Sequence, residues 1–139
     1  MPSLTRFGVS LDRKLLQALD QWLQRKGCAS RSQAIGELIR GALVKEEWRT
    51  EQGIVVGTLT LVYNPTHHVL SHTLTKTQHA HHAAIISAQH IHLDEHHCLE
   101  VIVLKGQVRE IQILADHLRS LKGVKHGQFI MTTSGAALP

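Results

Sequence analysis

Hydrophobic residues recur with a helical period through most of the first 45 positions. Asp12 suits the N-cap of a first helix and Gly27 its end, and between them the apolar residues fall on one side: Leu15, Ala18, Leu19, Trp22 and Leu23. Ser30 and Gln33 have capping-box spacing and open a second helix, whose apolar stripe is Ala34, Ile35, Leu38, Ile39, Ala42 and Leu43.

Ahead of these helices, residues 4–10 alternate in polarity as a strand does. Phe7 and Val9 alternate with Arg6, Gly8 and Ser10, so one face is apolar and the other is polar and small. One such strand cannot stand alone, and about 45 residues bury too little surface to fold without help. We therefore expect a dimer in which two copies of the strand pair antiparallel, with Arg6, Gly8 and Ser10 exposed on one ribbon.

The rest of the chain predicts four strands and two helices. They are a strand over 54–63, a helix from Thr66 to about Gln78, a strand from Ala83 to Leu93, a strand from Cys98, a helix from Val108 with Gly123 at its end, and a strand over 127–133. This βαββαβ order is the ferredoxin-like arrangement of an antiparallel sheet with both helices on one face. The expected fold class is therefore α+β.

Histidines are concentrated around the central two strands. Seven of the twelve lie in residues 79–98. His90 and His92 lie on the same face of their strand, about 6 to 7 Å apart. If the turn takes residues 93–97, Cys98 lies opposite His92, so that two imidazoles and a thiolate converge as a metal site. His79 can add a fourth ligand, from this chain or from a neighbour.

The other histidines of this stretch have no such spacing. A solvated, metal-sticky tract is the favoured interpretation of His81, His82, His96 and His97. Three imidazoles and one thiolate suit Zn²⁺, Cu²⁺ or Ni²⁺, and the residues alone do not rank these ions. A hydrolase would need an open coordination position and a base such as Glu100. A metal store or chaperone would not need the first fifty residues.

The charge distribution separates the two parts of the chain. Residues 1–50 carry nine basic and five acidic side chains and the remainder carries six of each, so the net +4 lies in the first part. A basic two-stranded ribbon can enter the DNA major groove, where Arg6 would read a guanine edge, Gly8 would permit close approach and Ser10 would be less selective. The second helix begins at residues that can hold a phosphate: Ser30, Arg31 and Ser32.

Membrane and secretory features are not found in the sequence. There is no run of about 18 apolar residues and no signal-peptide core. The two cysteines lie far apart, which suits a reducing compartment. We therefore expect a cytoplasmic protein with no membrane partner.

Two stretches resemble known families. The order LTRFGVSLDRKLLQALD then SRSQAIGELIR resembles the ribbon–helix–helix repressors, which are obligate dimers that read DNA with the ribbon. Over nearly its whole length the chain is similar to the nickel-responsive transcriptional regulators. Their motif is a histidine, an HxH eleven residues on, and a cysteine six residues beyond the second histidine of that pair. The matching residues are His79, His90, His92 and Cys98.

The resemblance implies more than the residues alone. It implies a ribbon–helix–helix DNA-binding domain over 1–50, a linker and strand start over 51–58, an ACT-like regulatory domain over 59–134 and a tail over 135–139. It implies one Ni(II) per subunit of a homotetramer, with His79 contributed from another subunit and Gln78 supporting the ligands. A non-enzymatic repressor that binds a palindromic operator in double-stranded DNA and controls nickel uptake genes would follow. The alternative is a regulator, store or chaperone for copper, zinc or cobalt.

Three positions depart from the family pattern. Gly8 stands where a threonine is common on the ribbon. His67 and His68 stand where relatives carry a basic pair near DNA, and these imidazoles are charged only near or below about pH 6.5. Gln33 replaces an acidic residue of a weaker cation site, although Glu37 remains.

Overall fold

A computed structural model describes residues 3–139, and the chain contacts divide it into two compact units, one ending at Ala42 and the other covering Leu43–Pro139. The helices and strands are α1 (Arg13–Lys26), α2 (Arg31–Thr50), β1 (Ile54–Tyr63), α3 (His68–Ala80), β2 (Ile85–Asp94), β3 (His97–Gln107), α4 (Val108–Arg119) and β4 (Val124–Thr133). None of the helices between residues 3 and 139 has the length and apolar character needed to cross a membrane.

The caps predicted for the first two helices are confirmed, with one difference. The Asp12 carboxylate accepts hydrogen bonds from the backbone N–H groups of Lys14 and Leu15, and Gly27 ends α1 in the left-handed region at φ 68°. The Ser30 hydroxyl accepts the Gln33 N–H at 3.1 Å. The Gln33 side chain accepts from the N–H of Ala29, one residue before the partner expected in a full capping box.

The predicted strand at residues 4–10 is not formed in the single chain. Residues 3–12 have no regular secondary structure, because a strand needs a hydrogen-bonded neighbour and this unit contains none within the described residues. Of residues 3–42 only Leu23 and Ala34 are buried apolar residues, while several large apolar side chains are exposed: Leu4, Phe7, Val9, Leu11, Leu15, Leu38 and Ile39. The N-terminal unit therefore lacks a closed core.

The C-terminal unit confirms the βαββαβ prediction. Its four antiparallel strands lie in the order β2-β3-β1-β4. Alternate residues of β1 and β3 are buried with α3 and α4 in one core that includes Leu59, Leu61, Ile102 and Leu104. Several boundaries differ from the prediction. β4 begins at Val124, and α3 begins at His68, capped by His67 where Thr66 was expected. α4 ends at Arg119, before the predicted Gly123, and β2 begins at Ile85 where Ala83 was expected. The His67 imidazole Nδ1 accepts the backbone N–H of Leu70.

The last turns of α2 belong to the C-terminal unit. The indole N–H of Trp48 donates to the Thr132 carbonyl at 2.8 Å, and the Trp48 ring meets Phe129 edge-on. Gly57 makes room for this packing, because a Cβ there would lie 2.3 Å from the Phe129 ring. Thr133 adds a hydrogen bond from its hydroxyl to the Glu47 carboxylate. The buried Trp48 therefore fixes the end of α2 to β4.

Candidate metal centre

The β2–β3 hairpin brings two histidines and a cysteine to one face. His92 lies opposite Cys98 and His90 opposite Glu100, which confirms the predicted register. The predicted five-residue loop is wrong, since β2 runs to Asp94 and β3 starts at His97. A register shift between His92 and Asp94 absorbs the difference, so a tighter turn preceded by a bulge gives the same pairing.

The three side chains are close enough to share one ion. Cys98 Sγ lies 3.3 Å from His90 Nε2 and 3.4 Å from His92 Nδ1. The ligand atoms of all three lie within 4.8 Å of one another. The cysteine is buried and both histidines are exposed, so the cluster is closed beneath and open to one side. Two imidazole nitrogens and a sulfur fit a transition metal of the Ni²⁺, Cu²⁺ and Zn²⁺ group.

A buried carboxylate orients the first of these histidines. Glu100 is 6% exposed, and its Oε2 lies 2.9 Å from His90 Nδ1. The same oxygen accepts the Tyr63 hydroxyl at 2.9 Å, and Oε1 accepts the Gln78 amide N–H at 3.1 Å. Because Nδ1 faces the carboxylate, the His90 tautomer that this arrangement favours leaves Nε2 free toward Cys98.

The surroundings set the protonation of two of these groups. Burial raises the pKa of the Cys98 thiol, and the negative charges of Glu100 and Asp94 raise it further. Burial also raises the pKa of Tyr63, with its hydrogen bond to Glu100 as the next cause. The thiol therefore holds its proton until a cation favours the thiolate, so metal binding at this site releases a proton.

Comparison with known proteins identifies the family of this chain. The model of the NikR C-terminal nickel-binding domain matches residues 56–132. The chain belongs to the nickel-responsive regulator family. A relative from Geobacter sulfurreducens, named "Putative nickel-responsive regulator", is 52% identical over 99% of both chains. One of the same name from Pyrococcus horikoshii is 45% identical over 97% of this chain and 98% of its own.

The remaining histidines of this nickel-responsive regulator family member lie outside the cluster. His79 is exposed at the end of α3 and is not one of the three grouped ligands of residues 3–139. His97 is held by the Asp94 carboxylate at 2.8 Å and by the Lys125 ammonium at 3.0 Å. His82 contacts the His79 carbonyl. Two further histidines of this stretch are exposed: His81 and His96.

The sequence-predicted DNA-binding residues lie in the N-terminal unit. Arg6, Gly8 and Ser10 are exposed in the segment without regular structure. At the start of α2, the Arg31 guanidinium forms a two-point ion pair with Asp20 at 2.9 and 2.8 Å. This pairing raises the pKa of Arg31 and lowers that of Asp20. Two neighbouring hydroxyl groups remain exposed: Ser30 and Ser32.

Two contributors were missed or misjudged from the sequence. Tyr63 was not singled out, although it ends β1 directly opposite Cys98. Glu100 was considered only as a general base, whereas its carboxylate is engaged by His90, Tyr63 and Gln78. Placing Glu100 two residues after Cys98 on the same face was possible from alternation, but Tyr63 requires the register of a strand 35 positions earlier.

Proposed function

We propose that this protein is a nickel-dependent transcriptional repressor. One Ni(II) per subunit is held by His90, His92 and Cys98 of one chain and by His79 of another. The observation that carries the proposal is the meeting of two imidazole nitrogens and a buried sulfur within 4.8 Å, in a chain of the nickel-responsive regulator family. Gln78 supports the ligands through Glu100.

The choice of His79 as fourth ligand follows from the coordination position that the three clustered ligands leave exposed. Nickel accepts four ligands in a plane, and this cluster supplies three with an exposed side. His79 is exposed and lies on the same helix as Gln78, so it is available to a neighbouring subunit. A site shared in this way forms only when subunits associate, and it joins metal binding to assembly.

Two uncovered apolar surfaces support a homotetramer built as a dimer of dimers. The first is the exposed apolar set of the N-terminal unit, which a second copy would cover by pairing the two ribbons. The second is the sheet face opposite the helices, where Val62, Leu99, Val101 and Val103 remain half-buried in the single chain. Each subunit then uses its N-terminal surface to form a dimer and its sheet face to join two dimers into a tetramer.

DNA binding is assigned to the paired ribbons. Arg6, Gly8 and Ser10 from two copies enter the major groove, and the start of α2 contacts phosphates through Ser30, Arg31 and Ser32. Twofold symmetry of each dimer fits a palindromic operator. The protein acts in the cytoplasm, and the genes that it controls are those of nickel uptake. With nickel bound, His79 of one subunit stays fixed to the hairpin of another, which holds two ribbon dimers ready for two half-sites.

A DNA mobility shift assay on the full-length protein tests this proposal. We expect tight operator binding with nickel and weak binding with a chelator, and equal affinity in both conditions would end the repressor proposal. Absorption spectroscopy tests the alternative regulator or store for another metal. The absorption spectrum of planar nickel with a sulfur-to-metal band supports nickel as the effector. If zinc, copper or cobalt promotes DNA binding at lower concentration than nickel does, that ion is the effector.

A further inference from the structure

Helix α3 carries a second arrangement of histidines that the cluster at Cys98 does not use. His68 and His72 are four residues apart in the continuous helix His68–Ala80, and both are exposed. Within residues 3–139 neither imidazole has a hydrogen-bond partner. By contrast, His67 caps the helix and His97 is held by Asp94. We propose that His68 and His72 form a second, weaker site for a transition-metal dication.

The helical spacing provides the geometry for this site. Residues four apart on a helix have Cβ atoms about 5 to 6 Å apart on the same face. Two imidazoles at that spacing can turn to one ion, as the two histidines of the HExxH zinc motif do. His68 and His72 are the only two histidines with this spacing inside one helix of residues 3–139.

The local charges make this site much weaker than the cluster at Cys98. Helix α3 contains no Asp or Glu, so it offers no carboxylate as a third ligand. Lys76 lies one turn beyond His72, and the positive end of the helix dipole is near His68. Water completes the coordination of the ion. The ligand class is therefore the imidazole-seeking dications, with copper above nickel and zinc.

An ion bound across one turn of α3 would stabilise a helix that is intrinsically weak. Hydroxyls of Thr73, Thr75 and Thr77 donate to carbonyls four residues earlier, a pattern that slightly destabilises helices. Only Leu70 and Leu74 of this helix are buried. Because the ion binds only the helical form, its binding shifts the equilibrium toward the helix. The effect on Gln78 and the nearby ligand His79 rests on the proposed function, whereas the site itself does not.

The test is a nickel titration of the full-length protein beyond the first equivalent. Occupation of the first site is followed by its sulfur-to-nickel absorption band, which a site of two imidazoles lacks. Calorimetry measures the second phase, and amide hydrogen exchange measures protection of α3. Glutamine favours helix more than histidine does, so His72→Gln removes a ligand without weakening α3. The matched control is His117→Gln on α4, where no histidine lies four residues away.

We expect His72→Gln to weaken the second phase by about tenfold or more, equivalent to at least about 1.4 kcal/mol. It should also abolish the nickel-induced protection of α3, whereas His117→Gln should change neither. Equal losses in both variants, or no loss in His72→Gln, would overturn the site by showing diffuse binding to surplus histidines. An absent sulfur-to-nickel band would count against the proposed function alone, because the comparison of the two variants does not use that band.

Discussion

The two units of this chain solve the problem of burying apolar surface differently. Residues 3–42 contain two buried apolar residues, whereas the C-terminal unit closes a core between its sheet and helices. The metal cluster lies in the second unit, and three of its ligands meet within one chain. The predicted DNA-binding residues lie in the first unit, on a segment that has no partner strand. Three of the four proposed nickel ligands therefore already lie together in one chain, whereas the proposed DNA-binding surface would need a second copy.

Loss of the buried Cys98 thiol should have the largest effect, a fall in nickel affinity at the C-terminal unit. Cys98→Ser replaces the sulfur ligand by a hydroxyl of much lower affinity for nickel, so we expect nickel affinity to fall about 1000-fold, or about 4 kcal/mol. The matched control is Cys28→Ser in the N-terminal unit, which should leave nickel affinity unchanged. Competition with a chelator measures both. Similar nickel affinity in Cys98→Ser and the parent protein would remove sulfur from the site.

An acidic residue on the exposed apolar face of the N-terminal unit should prevent its proposed dimerisation and so weaken DNA binding. Leu38 is 54% exposed in the single chain. In a symmetric dimer Leu38→Asp acts twice, and each lost burial costs at least about 1.5 kcal/mol, so we expect DNA affinity to fall about 100-fold. Nickel affinity should stay unchanged. DNA-binding anisotropy and ultracentrifugation measure the result.

A control of similar exposure lies in the C-terminal unit. Ile113 is 61% exposed on α4, and Ile113→Asp should leave DNA affinity as it is. If both acidic variants bind DNA normally, the apolar face of residues 3–42 is not the dimer contact. If both lose DNA binding equally, the contrast between the two units fails.

The carboxylate behind His90 should have a smaller effect, confined to the metal. Glu100→Gln weakens the hydrogen bond that orients His90, and losing such support costs about 10- to 100-fold in metal affinity. Glu95→Gln removes the same charge from the exposed turn and should have little effect. Nickel titration followed by absorption compares them. Equal affinities in the two variants would show that Glu100 acts only through the fold.

Features set by residues close in sequence were predicted more often than contacts between residues far apart in sequence. Asp12 and Gly27 mark α1 through their own backbone neighbours. The pairing of Cys98 with His92 was predicted from alternation together with an assumed turn over residues 93–97. The tighter β2–β3 turn was not predicted, because a short turn with a bulge and a longer loop give the same register. The strand predicted at 4–10 is not formed in the single chain, where it has no strand to pair with within the described residues. Trp48 was overlooked because its neighbours in residues 45–52 are polar, and its partner Thr132 lies 84 residues away.

The two tryptophans, one in each unit, give the smallest and most direct test. Trp48 is 6% exposed and donates to the Thr132 carbonyl, so Trp48→Phe leaves that carbonyl without its partner and should lower the free energy of unfolding by about 1 to 2 kcal/mol. Trp22 is half-buried and lies 5.8 Å from the Lys26 ammonium, so Trp22→Phe should cost about 0.5 kcal/mol or less. Chemical denaturation followed by circular dichroism measures both variants. If Trp22→Phe proved the more destabilising, the N-terminal unit would have a core that residues 3–42 do not show in the single chain, and the second copy would be its source.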